Sequence, residues 1–478
     1  MRVELLTEEQ IRRVHNASIA VLERTGVVVP HPGMLARLEG AGARVDRAAQ
    51  RVRLPEALVM QSLSRAEKKF TLYGRDPAKT ARFGQGTRNY NSIAGEASWV
   101  EEPGGARRFA TLPDAAAAAR VADALKNIGI VGAMSDPHEI PIAYRCVEVL
   151  ATLFRNTAKP VHVWFHDRPS AKYIVEMLIA LRGSEKQAAE MPPCYSFLEP
   201  ISPLHFPFHG IDLLFETARL NLPVSIGPMA QMGLSAPMSI AGTLVQENAE
   251  ILAGNCIVQL VRPGTPICYG GICHAFDMRT TQMIFSGPEQ ALFGVAMTEI
   301  GKRYGLPVYI NVGLTDAKRP DAQAGLEAGI TLALGAAAGA DIFGHMGISG
   351  VDQAASLDML VFQDEVIDYV ESALRDPDFS DEALGVELID RVGPGGTFID
   401  TEHTVERFRG ELWFPRLLDR DYYQRWLDEG AKTTEERCLA RKHEILAGHQ
   451  VVPLLPELSK SLDEALQAAK RDLGGAAE

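Results

Sequence analysis

No apolar stretch of this chain approaches the roughly 18 residues that would suggest a membrane span, and Met1-Arg-Val-Glu-Leu-Leu-Thr7 carries no apolar signal core. A cytoplasmic protein without a membrane partner is expected. Cysteine is sparse: Cys146, Cys194, Cys256, Cys268, Cys273 and Cys438 are scattered among apolar neighbours, without the regular spacing of a secreted disulfide framework. Basic residues are outnumbered, 48 against 61 acidic, and the net charge of −13 argues against nucleic acid or an anionic membrane as a general partner. Several catalytic signatures are also missing. No Gly-x-Gly-x-x-Gly elbow follows the first regular strand, and no Gly-x-Ser-x-Gly elbow occurs. No strand carries a lysine within its apolar run for Schiff-base chemistry. Cys268, Cys273 and His274 match no structural zinc spacing, so no metal is expected.

What is present is a soluble, globular composition, with 46% apolar and 23% charged residues over 478 positions, enough for a large core. Thr7 followed by Glu8, Glu9 and Gln10 is a capping-box start for a helix that Gly26 ends. Further helices are read near 32–41 and 55–66, then short alternating runs at 70–73, 80–83 and 97–100. This makes residues 1–110 a helical cap with a few antiparallel strands. From 111 to 375 short apolar runs recur: Ile128–Ala133, Val161–Phe165, Cys194–Leu198, Val224–Ile226, Pro266–Tyr269, Val308–Val312 and Ile342–Gly344. An eighth is placed at Leu357–Phe362. Eight strand–helix repeats over roughly 250 residues spell an α/β fold of (β/α)8 TIM-barrel type, with an open doubly wound sheet as the alternative. The helix after Lys318 is read with its apolar stripe on Leu326, Ile330, Ala333, Leu334 and Ala337. Residues 376–478 read as a helical extension packed on the barrel through Trp413, Tyr422, Tyr423 and Trp426.

In such a barrel the site lies where strands end. Glu199, Gln231, Asn311, Asp316 and His345 sit at such ends, and Trp164, Phe197, Tyr309 and Phe343 are aromatic residues near them. Together those rings allow a water-poor cavity suited to a methylated ammonium. Gly344, Gly347 and Gly350 leave a phosphate clamp open.

Leu6-Thr-Glu-Glu-Gln10 through Leu22-Glu-Arg-Thr-Gly-Val27, Leu72-Tyr-Gly-Arg-Asp76, Ser202-Pro-Leu204 and Ala236-Pro-Met-Ser-Ile-Ala-Gly242 resemble the trimethylamine methyltransferase family. So do Gly313-Leu-Thr-Asp-Ala-Lys318 with Asp321-Ala-Gln-Ala-Gly325, Trp413-Phe-Pro-Arg-Leu-Leu-Asp-Arg420, and Ile445-Leu-Ala-Gly-His449 with Pro453-Leu454. The resemblance spans nearly the whole chain. It implies a barrel that passes an amine's methyl group to the cobalt of a corrinoid (cobalamin) carried by a separate corrinoid-binding protein, and a homo-oligomer. Archaeal trimethylamine enzymes of the family carry pyrrolysine at the barrel centre, which corresponds to the neighbourhood of Tyr309 to Asn311. Only standard residues occur here, which moves the expectation to the non-pyrrolysine branch and a quaternary amine, glycine betaine first. The resemblance makes His345 and Asn311 candidates to grip a substrate carboxylate, and Tyr309, Phe343, Phe197 and Trp164 the aromatic wall. Glu199 could complement the ammonium, Asp316 could cap a helix, and Tyr90 and Asn91 could fold over the mouth. The alternatives are a barrel lyase or other metal- or phosphate-dependent enzyme, and an inactive betaine-binding homologue.

Overall fold

A computed structural model describes residues 1–476. Its centre is a parallel sheet of eight strands. They are β1 (Asn89–Ser92), β2 (Ile128–Gly132), β3 (Val161–His162), β4 (Ser196–Leu198), β5 (Val224–Ile226), β6 (Ile267–Gly271), β7 (Val308–Ile310) and β8 (Ile342–Met346). Each strand pairs with its sequence neighbour, and β8 pairs with β1. At the remaining seam, β3 meets β4 through the Val161 N–H donating to the Pro193 carbonyl at 2.9 Å. A helix or helical segment follows every strand, so the expected (β/α)8 architecture is present. Apart from Gly129 the strands are buried along their whole length, which is why most of their sequences, though not that of β1, read as apolar runs.

Two assignments at the ends of the barrel are corrected. Asn89–Ser92 is the first barrel strand, so a domain boundary at 110 would cut it from both its partners. Its polar sequence gives no apolar run to find. Leu357–Phe362 is the start of a helix, Leu357–Ala373, whose N-cap Ser356 accepts from the Met359 N–H. This helix is wedged between barrel and tail and buried on several sides, and periodicity cannot separate such a segment from a buried strand.

The N-terminal end of the barrel is closed by the hairpin Phe70–Tyr73 and Thr80–Phe83. Phe70, Leu72, Ala81 and Phe83 cluster with Ile130, Tyr195, Cys268, Tyr309 and Ile342 inside the barrel. The hairpin and its flanks bond to residues just before β3, β4, β6 and β8, among them Tyr73 N–H to Pro192 O (2.9 Å) and Gly84 N–H to Asp341 Oδ1 (2.8 Å). The opposite end carries a small sheet in which Ala354–Ser356 lies between Ile348–Ser349 and Ser98–Val100. That leaves one end free for a site.

The helix Ala322–Ala338 turns most of the expected stripe away from the barrel, although Ala337 of that stripe is buried. Leu326 and Ile330 are exposed, while Ala324, Ala328, Leu332, Gly335 and Ala336 face the barrel. Close approach decides this: a Cβ on Gly335 would lie 2.7 Å from Ile310 Cδ1. In the tail, Glu365 Oε1 accepts the backbone N–H groups of Arg416, Leu417 and Leu418, and the Trp413 indole donates to Asp368 at 3.0 Å. Tyr422 and Tyr423 are exposed, Tyr423 meeting the Trp426 ring at 5.8 Å, and so are not buried anchors of the tail. Helices Thr434–Gly448 and Pro456–Leu473 pack on the barrel's helical layer, with Lys442 paired to the buried Asp358 at 2.9 Å. No helix among the described residues is long and apolar enough to cross a membrane.

Candidate functional site

Strand alternation and one irregularity decide which side chains reach the barrel interior. On β1, Asn91 is fully buried and its Nδ2 donates to His162 Nδ1 at 3.0 Å. Tyr90, one residue earlier, points the other way, with its hydroxyl on Glu371 and its ring 5.0 Å from that of Phe343. On β8, Phe343 and His345 would share a face in a regular strand. The register shifts between Phe343 and Met346, and His345 takes a φ of 97°, so the imidazole turns inward while Phe343 faces outward. Gly344 permits this packing, because a Cβ there would lie 1.7 Å from the Tyr309 hydroxyl oxygen. The His345 ring then sits 5.6 Å from Tyr309, 6.4 Å from Trp164 and 6.1 Å from His162, nearly parallel to the last.

These side chains floor and wall a chamber of about 130 Å³ at the C-terminal end of the strands. Trp164, Phe197, Met229 and Ile272 form its apolar walls, Asn311 and His345 its polar floor, and Glu96, Glu199 and Asp352 its acidic side. Trp164 meets Phe197 edge-on at 5.5 Å, the arrangement aromatic quadrupoles favour. Trp164, Phe197, Glu199 and Met229 also border a wider groove of about 570 Å³ that includes His166, Ser202 and Gln231. A small inner chamber therefore adjoins a larger vestibule.

Burial sets the electrostatics. It pushes Glu96 up to about 9, with the neighbouring Asp352 adding to the rise, and Glu199 up to about 7. Asp352 is also raised by burial. Desolvation lowers His162 and His274 to about 3 and His345 well below the ordinary imidazole value, so the three rings are neutral near pH 7. On the chamber floor Asn311 Oδ1 and His345 Nε2, and deeper in the barrel Asn91 Oδ1, His162 Nε2, Tyr195 OH and Tyr309 OH, are buried without hydrogen-bond partners among the described residues. Cys268 and Cys273 are held as thiols by burial, and they lie in different clusters, Cys268 inside the barrel and Cys273 in the outer core. The arrangement can bind, orient and desolvate a small cation-bearing molecule.

A model of the trimethylamine methyltransferase (MTTB) family matches residues 1–474. The chain belongs to this family. A glycine betaine methyltransferase from Desulfitobacterium hafniense (strain Y51) is 30% identical over 475 residues, covering 99% of this chain and 98% of that relative. A trimethylamine methyltransferase from Methanosarcina thermophila is 29% identical, covering 97% and 96%. Among solved structures, the monomethylamine methyltransferase of Methanosarcina barkeri superposes with a TM-score of 0.51 at 9% identity, covering 98% of this chain and 95% of that one. At that identity the likeness is one of fold.

In this family member, the chamber brings together Trp164, Phe197, Glu199, Asn311 and His345 from the sequence-derived candidates. Gln231 lines the vestibule, and Tyr309 and Asn91 lie deeper, inside the barrel. Phe343 and Tyr90 stand outside it, Phe343 because of the bulge and Tyr90 because of strand alternation, and neither Tyr90 nor Asn91 folds over the mouth. Asp316 caps no helix: Asp321 caps Ala322–Ala338, while Asp316 Oδ1 accepts from the Phe285 N–H at 3.0 Å. Gly347 and Gly350, with φ of 97° and 68°, flank the strand Ile348–Ser349 after β8. Sequence reasoning missed Glu96, Asp352 and His162. The first two lie on loops with no motif, and no local signal could have found them.

Proposed function

We propose that this protein demethylates a quaternary amine, glycine betaine being the first candidate, and passes the methyl group to the cobalt(I) corrinoid of a separate protein. The observation that carries the reading is the chamber itself, where Trp164 and Phe197 present aromatic faces and edges beside the buried Glu96, the half-buried Asp352 and the more exposed Glu199. A quaternary ammonium has no N–H to donate, so aromatic faces and an anionic wall are what hold it. The substrate choice is supported by the glycine betaine methyltransferase relative and by the absence of any residue beyond the standard set near Tyr309 to Asn311.

The chemistry is an in-line displacement. One N–CH3 bond breaks, the departing nitrogen keeps the bonding pair and leaves as a neutral tertiary amine, and the electron pair of the methyl acceptor forms the new bond to carbon. The protein supplies no proton. Its task is to hold one methyl group toward the vestibule, where the corrinoid carrier docks, and to exclude water from the reacting axis. His345 and Asn311, on the chamber floor, supply polar contacts for a substrate carboxylate.

The test mixes purified protein, reduced free cobalamin or a cognate corrinoid protein, and a panel of betaines and alkylammonium ions, and follows methyl-cobalt absorbance. Methyl-cobalt formation with a quaternary amine is the expected result. Failure with every member of the panel overturns the proposal.

A further inference from the structure

Glu96 and Asp352 come from distant parts of the chain and both line the chamber wall, and neither has an ion-pair partner among the described residues. Glu96 is locked to the loop after β2: its N–H donates to Met134 O (3.0 Å), and its carbonyl accepts from Ser135 Oγ (2.8 Å). Asp352 sits at the tip of the hairpin after β8, where Gly350, Val351 and Asp352 all have positive φ, of 68°, 63° and 54°. A β-branched residue in the left-handed region is strained, and strain of this kind persists only where the surroundings impose it. Here Ser98 Oγ donates to Gln353 O (2.6 Å) and Arg107 to Gln353 Oε1 (2.7 Å), which fixes the tip. A separate observation points to a ligand: His345 Nε2, unpaired on a residue only 7% exposed, belongs to the same chamber lining.

The other groups facing the pair do not neutralise it. From the loop after β2 comes Asp136, engaged by Arg145 at 3.8 Å. From β4 comes Glu199, another acid. From β3, β7 and β8 come His162, Tyr309, Asn311 and His345, all neutral near pH 7. Beside the hairpin tip lie Arg107, which bonds Gln353, and Lys318, whose Nζ donates to the Asp316 carbonyl; among the described residues neither forms an ion pair with Glu96 or Asp352. Two neighbouring carboxyl groups on the wall of one small chamber, Glu96 buried and Asp352 half-buried, disfavour each other's ionisation unless a cation joins them.

We infer that Glu96 and Asp352 share one proton in the empty chamber and release it to solvent when a quaternary ammonium enters, so that substrate uptake is an exchange of one cation for one proton. The ligand class rests on the methyl-donor reading above. For a ligand with a net positive charge, such as tetramethylammonium or choline, the exchange keeps the charge of the chamber constant, whereas glycine betaine brings its own carboxylate to His345 and Asn311. The exchange also explains why an acidic wall suits a donor with a permanent charge: the ammonium cannot itself lose a proton to the pair.

The experiment is titration calorimetry of the full chain with tetramethylammonium, choline and glycine betaine, each in phosphate and in Tris between pH 6 and 9.5. The difference in heat between buffers counts protons. About one proton released per cation is expected below the titration of the pair, with affinity rising about tenfold per pH unit until the pair ionises unaided. The double variant Glu96→Gln/Asp352→Asn should bind with no buffer-dependent heat and a flat pH profile, its folding checked by thermal unfolding. If that variant is misfolded, the carboxylic C=O infrared band of the wild-type protein reports the shared proton directly, and must disappear on adding cation. Cation binding without proton release overturns this inference alone, even where methyl transfer is observed. Failure of all three cations to bind overturns it together with the methyl-donor reading.

Discussion

Two groups of buried polar side chains lie on opposite sides of the barrel wall, and they differ in how fully they are satisfied. Outside the wall, on the helix Ile240–Val261, Glu247 accepts the N–H groups of Ala230 (3.1 Å) and Ile272 (2.9 Å), and Glu250 accepts from Leu204 N–H and Ser202 Oγ, both at 2.7 Å. Asn248 bonds Ser18, Tyr269 and Tyr304, while Asn255 further along the same helix is the exception, with both amide atoms unpaired. Inside the wall, Asn91, His162, Tyr195, Tyr309, Asn311 and His345 are equally buried, yet each keeps an unpaired polar atom. Satisfied groups fix loops in place, whereas unsatisfied groups in a cavity are held ready for a ligand or its water. Glu247 connects the two, because the loops it ties down carry Met229, Gln231 and Ile272 to the site.

The contrast can be broken from either side. Glu247→Ala leaves two buried N–H groups without an acceptor and should cost about 3 kcal/mol, read as a lower urea midpoint; an unchanged midpoint would remove the distinction. Gly344→Ala drives a methyl group into the Tyr309 hydroxyl and should lose about 2 kcal/mol by the same measurement, with weakened substrate binding. His345→Ala should leave stability nearly unchanged while weakening glycine betaine roughly 10- to 100-fold, and tetramethylammonium far less, by calorimetry. Equal losses for both ligands would deny His345 a carboxylate contact. Tyr309→Phe removes a hydroxyl whose neighbour is the Asn91 side chain, without a well-formed hydrogen bond between them, so stability should move by less than about 1 kcal/mol in either direction. A large loss would show that the hydroxyl is satisfied after all.

Much of the barrel could be read from its apolar runs, because a strand buried on both faces must be apolar throughout. β1 escaped that reading: Asn89-Tyr-Asn-Ser92 is polar, with Asn89 bonded to Arg82 O and Asp341 O and Asn91 to His162. Trp164, Phe197, Glu199, Asn311 and His345 were found as strand-end residues, and the chamber gathers all five. Phe343 and His345 looked equivalent in sequence. A single bulge separated them, and a bulge leaves no composition to recognise.

By itself the sequence determined the class of fold, the absence of a long apolar span and the strand ends from which a site could be built, since these follow from local periodicity and composition. Tertiary structure decided which of those ends converge. It placed Glu96 opposite Asp352 across 256 residues of chain, turned Leu326 and Ile330 outward, and set His345 facing inward. Such outcomes depend on backbone strain, on close approach at Gly335 and Gly344, and on contacts between segments far apart in sequence, none of which is written in any one stretch of the chain.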